Sequence, residues 1–508
     1  MIASESSNEN LEENIDKPQI LQEHSENGQV TETAQPIEER EVLTSIHIPC
    51  PPVGTLNEVI TNGVIFLMIW CVMWSFSGSE VLPGGSLFGF LAIFYCAILG
   101  GKLLEVIKIP SVPQLPPLLG MLLAGFTLRN IPFISQYISI NSTWSSNLRN
   151  TALTIILIRA GLGLDPQALK HLKNVCFRLS IGPCIIEACA AAIFSHFIMK
   201  FPWKWAFLLG FVVGAVSPAV VVPSMLFLQD NGYGIEKGIP TLLIAASSLD
   251  DILAITGFNA CMSIVFTSGN IFHHLLLSLM EVFVGVVLGA LLGFFIQYFP
   301  SKDQASVPWK RACLILLMCV SAVLGSHRVG LHGIGGLCTL VLTFLSGISW
   351  SREKIRVQKI IASLWNVFQP LLFGLVGSEV SVSSLPSNAI GVCVATLSLA
   401  LLVRIFATFL LMCFTGFNVK EKIFIALAWM PKATVQAVLG PLALETARNG
   451  GHRHLEGYAQ NVMTLAFLAI LITAPNGALL IGILGPKMLA RSDPKHYKMS
   501  VDAVLLHH

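Results

Sequence analysis

The chain is 508 residues long, 54% hydrophobic and only 12% charged, with a formal net charge of +2 and a mean hydropathy of +0.72. Soluble globular chains are nearer a quarter charged, so this composition excludes a water-soluble enzyme or binding module. It leaves a polytopic membrane bundle, with no room for a large soluble domain.

Residues 1 to about 55 stand apart. They hold eleven acidic residues against Lys17 and Arg40, with Gln, Asn, Ser and Thr between. Such a segment buries too little apolar surface to offset its ordering entropy, which predicts a disordered acidic tail. No apolar run or cleavage pattern in it suggests a signal peptide. Without the tail, 29 basic residues face 18 acidic ones, so the membrane body is basic.

Beyond the tail, apolar stretches of about 20 residues predict about 14 transmembrane helices. They centre near residues 68, 96, 122, 157, 185, 216, 249, 284, 318, 340, 369, 401, 433 and 472. The expected fold class is therefore an all-α polytopic membrane protein. Its expected parts are an acidic cytoplasmic tail over 1–55, a transmembrane domain over 56–488 and a short cytoplasmic tail over 489–508. Counting the tail as segment zero, even-numbered segments carry 20 Lys and Arg against 7 in the odd ones. Positive residues mark the cytoplasmic side, which places both termini there. Asn141-Ser142-Thr143 is a glycosylation sequon in an odd, external segment, in agreement.

In chain order, Arg159 falls at the end of the fourth span and Glu187 inside the fifth. The sixth reads Gly210-Phe-Val-Val-Gly-Ala-Val-Ser-Pro-Ala-Val-Val-Val-Pro-Ser224, where Pro218 and Pro223 remove backbone donors at mid-membrane. Gly210 and Gly214 form a GxxxG suited to close helix packing. The seventh span carries Asp250-Asp251 in an otherwise apolar stretch. A carboxylate at membrane depth costs roughly 2.5–3.5 kcal/mol on insertion scales, so an unused pair is not expected to persist. His273-His274 follows at a loop edge with no ligand-spaced Cys or Glu, and is read as bland. Arg352, Lys354, Arg356 and Lys359 read as a solvated basic loop, and Glu379, like Arg159, as a span-end charge that snorkels. Arg404 lies inside the twelfth span. The thirteenth, Ala428-Trp-Met-Pro-Lys-Ala-Thr-Val-Gln-Ala-Val-Leu-Gly440, is broken at Pro431 with Lys432 directly after it. The 12 cysteines are scattered without a CxxC pair and read as packing residues, with no disulfide framework or resident metal site.

Breaks of this kind survive where unwound backbone lines a protein cavity, and a matched pair of them points to a transporter built from two repeats. The sixth and thirteenth spans are seven apart, an odd number, so the repeats are inverted. Glu187 and Arg404 hold corresponding places, each on the span before a break, and are expected to pair. Asp250 and Asp251 differ by about 100° around a helix, so one should face a cavity and the other its side. As a coupled carboxylate pair they suit sodium, lithium or a proton. Ser217, Pro218, Pro431 and Thr434, at the breaks, are expected to support that site. Lys432 should either offset partial charges at the unwound ends or pair with the aspartates. A channel filter, a GxGD protease motif, a GxSxG elbow, a P-loop and HExxH are all absent.

Ser248-Leu-Asp-Asp-Ile-Leu-Ala-Ile, Val216-Ser-Pro-Ala-Val-Val-Val-Pro-Ser224, Arg159-Ala-Gly-Leu-Gly-Leu-Asp165 and Trp429-Met-Pro-Lys-Ala-Thr-Val435 closely resemble the animal NHA-type sodium/proton antiporters. These are solute carrier subfamily 9B of the cation/proton antiporter superfamily, and the resemblance, strongest to the testis-type member, runs from about residue 50 to 490. It implies a homodimer in the lipid membrane, with a dimerisation domain and a moving core domain. It implies Asp251 as the essential carboxylate, Asp250 as its partner, and Glu187, Arg404 and Lys432 in the core. Exchange of sodium or lithium for protons is implied too, without a cofactor or nucleic acid, and with a role in sperm pH and motility at the flagellar plasma membrane. The alternative is a sodium-coupled symporter of an organic solute on a related inverted-repeat scaffold.

Overall fold

The computed structural model describes residues 54–107, 115–164, 173–266, 271–301, 303–381, 389–451 and 453–491. Nearly all of the two expected tails, Asp165 and the side chains of His273 and His274 lie outside the described residues. Sixteen α-helices longer than one turn lie among those described. The first half holds α1 (Thr55–Ser77), α2 (Ser86–Val106), α3 (Pro117–Asn130), α4 (Ser142–Gly163), α5 (Lys173–Ile198), α6 (Trp203–Gly214), α7 (Pro218–Asp230) and α8 (Ile239–Phe266). The second holds α9 (Ile271–Tyr298), α10 (Val307–Val329), α11 (His332–Ile348), α12 (Ser351–Glu379), α13 (Ala389–Met412), α14 (Val419–Ala428), α15 (Thr434–Asn449) and α16 (Glu456–Met488). Among the described residues there is no strand, and a single antiparallel bridge joins Tyr233 to Arg491.

The chain divides into two units, residues 1–67 and 68–508. Of the first, the described part is the opening of α1, whose Leu56, Val59, Ile60 and Val64 are exposed. The second contains two groups of packed helices. One gathers α5 to α8 with α13 to α16; the other gathers α2, α3 and α4 with α9 to α12. Each group therefore takes one run from each half of the chain. Along the seam between them α15 lies against α4 and α12, α8 against α9 and α11, and α16 against α3.

Ten helical stretches among the described residues are long and apolar enough to cross a bilayer, the broken α6–α7 pair counting as one. Helices cover the expected centres near 122, 157 and 340 and flank the one near 433, and physical reasons explain why these fall short. At 14 and 17 residues α3 and α11 are short. Arg149, Arg159 and a run of Ser, Thr and Asn lower the hydropathy of α4. The break leaves α14 and α15 with 10 and 16 residues. Burial follows the chemistry of the backbone. In α6–α7, 72% of the span is buried inside the protein, against 28% for α9, so the broken backbone is enclosed by helices and not by lipid.

A proline does not by itself break these helices. Pro183, Pro370, Pro441 and Pro475 lie within continuous helices, and so does Pro223 inside α7. The backbone leaves the helix only between Gly214 and Pro218 and between Ala428 and Thr434. Two glycines let the breaks come close to their neighbours. At Gly210 a Cβ would strike the Ala188 carbonyl of α5, and at Gly477 on α16 it would strike the Pro431 ring. The basic run from Arg352 to Lys359 is the start of α12 and not a loop, since Lys354 and Gln358 donate to the Leu164 and Leu162 carbonyls at the end of α4. These bonds satisfy carbonyls that a helix end leaves without donors.

Candidate ion site

The two helix breaks meet. Ser217 N–H donates to the Pro431 carbonyl at 2.8 Å, the Ser217 hydroxyl lies 3.3 Å from that of Thr434, and Thr434 N–H points at the Ser217 oxygen, also at 3.3 Å. Each backbone group freed by the breaks must find another partner, because none is available from lipid. Pro218 lacks the N–H that would have bonded the Gly214 carbonyl. The Arg404 guanidinium takes that carbonyl, and its Nε–H donates to Trp429 O at 2.8 Å. Gln436 donates to Val212 O and Ala215 O at 3.0 Å each, while Lys432 N–H donates to the Thr473 hydroxyl at 2.8 Å. Arg404 on α13 thus ties both breaks together.

The carboxylates are arranged around this crossing. Glu187 of α5 accepts from Arg404 and, on the same oxygen, from the Lys432 ammonium at 2.8 Å. All three side chains are fully buried. Asp250 of α8 accepts from the freed Val216 N–H at 2.5 Å and lies 3.4 Å from Arg404. Asp251 is equally buried, and neither of its oxygens accepts a hydrogen bond from the described residues. The 100° between neighbours on a helix therefore separates the two aspartates chemically: Asp250 is anchored and Asp251 is not.

Of the residues singled out in the sequence, Glu187, Arg404, Lys432, Asp250, Ser217, Pro218, Pro431 and Thr434 come together here. Lys432 pairs with Glu187 and sits 3.5 Å from the freed Ala215 carbonyl; the aspartates are not its partners. Gln436 and Thr473 were missed. A glutamine five residues after Pro431 in an apolar span was the available signal. Asn141 stands elsewhere, exposed at the N-cap of α4, where its side-chain oxygen accepts from Thr143 N–H and Trp144 N–H.

A cavity of about 780 Å³ reaches the crossing between the two helix groups. Pro116, Arg159 and Trp365 line it from one group, and Pro223, Ser248 and Thr434 from the other. Arg159 lies over the Trp365 ring at 5.7 Å, so it borders the cavity instead of snorkelling to a headgroup. Glu379 also has a protein partner, 3.5 Å away in Arg149, where a lone span-end charge was expected.

Comparison with known proteins places this geometry among relatives. Residues 84–484 match the family described as sodium/hydrogen exchanger, transmembrane. The human sodium/hydrogen exchanger 9B1 is 65% identical over 521 residues, covering 100% of both chains. The 9B1 protein of Macaca fascicularis is 68% identical, over 90% of this chain and 89% of its own. Mouse sodium/hydrogen exchanger 9B2 is 60% identical, over 88% and 82%. The fold is similar to that of the sodium proton antiporter MjNhaP1 from Methanocaldococcus jannaschii, with a TM-score of 0.62 at 18% identity, covering 79% of this chain and 98% of that one.

Proposed function

The chain belongs to the sodium/hydrogen exchanger family, as a multi-pass membrane protein of the animal 9B type, and on that premise we propose that it exchanges sodium or lithium for protons at Asp251. The observation that carries this is the contrast within the aspartate pair. A buried carboxylate with no protein partner is costly unless something else occupies it, and hard oxygen ligands suit a proton or a small alkali cation. The two ligands cannot share the oxygens, so each displaces the other. A protein that changes sides only when loaded then performs antiport by competition.

Charge supports a one-for-one exchange. Arg404 and Lys432 stand against Glu187, Asp250 and Asp251, leaving one negative charge in excess. A single proton or a single monovalent cation neutralises it. Both loaded forms then cross the low-dielectric seam uncharged, while the empty form carries a charge that opposes the move. The group holding α5 to α8 and α13 to α16 is the moving core, and the other group is the scaffold.

The finer reading is of 14 spans in two inverted repeats, with both termini cytoplasmic by the excess of Lys and Arg in even segments. The cavity then opens to the cytoplasm. We place the acidic tail over 1–55, the transport domain over 56–488 and the short tail over 489–508. The scaffold pairs two copies as a homodimer, Asn141 is the glycan acceptor, and the physiological role is control of sodium and pH in the sperm flagellum. Family membership sets the organic-solute symporter aside. The test is exchange in proteoliposomes under an imposed potential: one-for-one exchange runs at the same rate at zero and at inside-negative potential. A rate that follows the potential would mean unequal stoichiometry.

A further inference from the structure

The cavity enters the seam at one end. At the other end the two helix groups are held together by charge. Arg149 on α4 is 2% exposed, and its guanidinium lies against the Glu445 carboxylate of α15 and 3.5 Å from Glu379 at the end of α12. Ser145, one turn earlier on α4, accepts from Arg149 Nη1 at 2.5 Å. Glu445 is buried as well. Arg149 and Glu379 belong to the scaffold, Glu445 to the other group. Among the described residues the remaining salt bridges join partners inside one group: Lys237 with Glu421, Arg311 with Glu353, and Arg404 and Lys432 with Glu187 and Asp250. Among the described residues, the salt bridge between Arg149 and Glu445 crosses the seam.

Its place is telling. Arg149 lies ten residues from Arg159, about 15 Å along α4 and away from the cavity that Arg159 lines. The helix that supplies Glu445 begins at Thr434, inside the crossing. One rigid element therefore connects the ion site to the far end of the seam. Buried ion pairs are weak stabilisers, since well-packed apolar residues of similar volume do as well or better. Their advantage is that they can separate into water and keep their charges solvated.

We propose that Arg149, Glu379 and Glu445 form the gate that closes the seam at the end away from the cavity, and that Glu445 leaves Arg149 when the site opens to that side. This rests on the alternating-access reading of the same site. Arg149 keeps Glu379 as its partner after the separation, so no cation is stranded. Glu445 moves with α15, and its carboxylate then lines the newly opened mouth, where it attracts sodium.

The test uses the full-length protein in proteoliposomes of known orientation, with the KM for sodium measured separately at each face. Glu445→Gln weakens the closure. It should lower KM at the gate face and raise it at the cavity face, each by about fivefold, because the population shifts toward the gate-open state. Glu379→Gln, at a more accessible position, should leave both values closer to those of the parent protein. A merely structural role would lower the melting temperature and leave the two KM values unmoved or shifted together, and either result overturns the gate. As a second arm, Arg149→Cys with Glu445→Cys is joined by a short bis-methanethiosulfonate, which links the two thiols through reducible disulfides and releases sulfinate, with the single-cysteine variants as controls. The joined protein should stop exchanging and resume on reduction; full exchange while joined would refute the proposal. If the unmodified protein moves no protons against sodium, the exchange reading fails first, and separately.

Discussion

Glu187 serves two cations with one oxygen, and this sets what each substitution strands. Lys432→Met leaves Glu187 with Arg404. Glu187→Gln leaves the Lys432 ammonium without its carboxylate, facing neutral acceptors such as the Ala215 carbonyl, while Arg404 keeps Asp250 and two backbone carbonyls. Removing one member of a buried pair costs about 3–5 kcal/mol. Each single variant should therefore lower the melting temperature in detergent, and Glu187→Gln with Lys432→Met together should lose less than the sum. Strictly additive losses would mean that Lys432 and Glu187 are energetically independent. The sequence made the Glu187–Arg404 partnership legible, because two lone charges on matched spans each need a counterion. It did not reveal that Lys432 shares that carboxylate. Lys432 follows Pro431 in an unwound stretch, and helical periodicity says nothing about where an unwound residue points.

At the scale of elements, the breaks work because their freed groups are taken by specific side chains. Pro218→Ala would restore an N–H three positions after Ala215, able to bond the Gly214 carbonyl that Arg404 now holds. It should extend α6 into α7, displace Arg404 from that carbonyl and slow exchange by about tenfold or more, without loss of folded protein. Turnover and melting temperature, measured together, check this; unchanged turnover would show that the break is not needed. Pro223→Ala lies within a continuous helix and should have a much smaller effect. From the sequence, Pro218 and Pro223 both read as removing backbone donors at mid-membrane. They differ because Pro218 sits at the first turn of α7, where a missing N–H starts a helix, whereas Pro223 is accommodated inside it. Charge likewise hid the seam: no sequence motif singles out Arg149 or Glu445, and the contact between them spans 296 residues of chain.

For the whole molecule, the two helix groups, the cavity between them and the crossing at its inner end describe one device. A carboxylate with no partner among the described residues is enclosed by one group, and the cavity along the seam is lined by Ser248, one turn before it on α8. The long apolar helices and the broken pair were visible in hydropathy and proline placement, since those signals are local. The division into groups was not, because each group joins two runs far apart in sequence. The central claim is that sodium and a proton compete for Asp251. The direct measurement is internal pH, followed by an entrapped dye in proteoliposomes, as sodium is added outside without any organic solute. The account predicts proton efflux from the unsubstituted protein, with an apparent KM for sodium that rises as the outside is acidified while the maximal rate holds, and no efflux from folded Asp251→Asn. Equal efflux from Asp251→Asn, or efflux only when an organic solute is supplied, would contradict it.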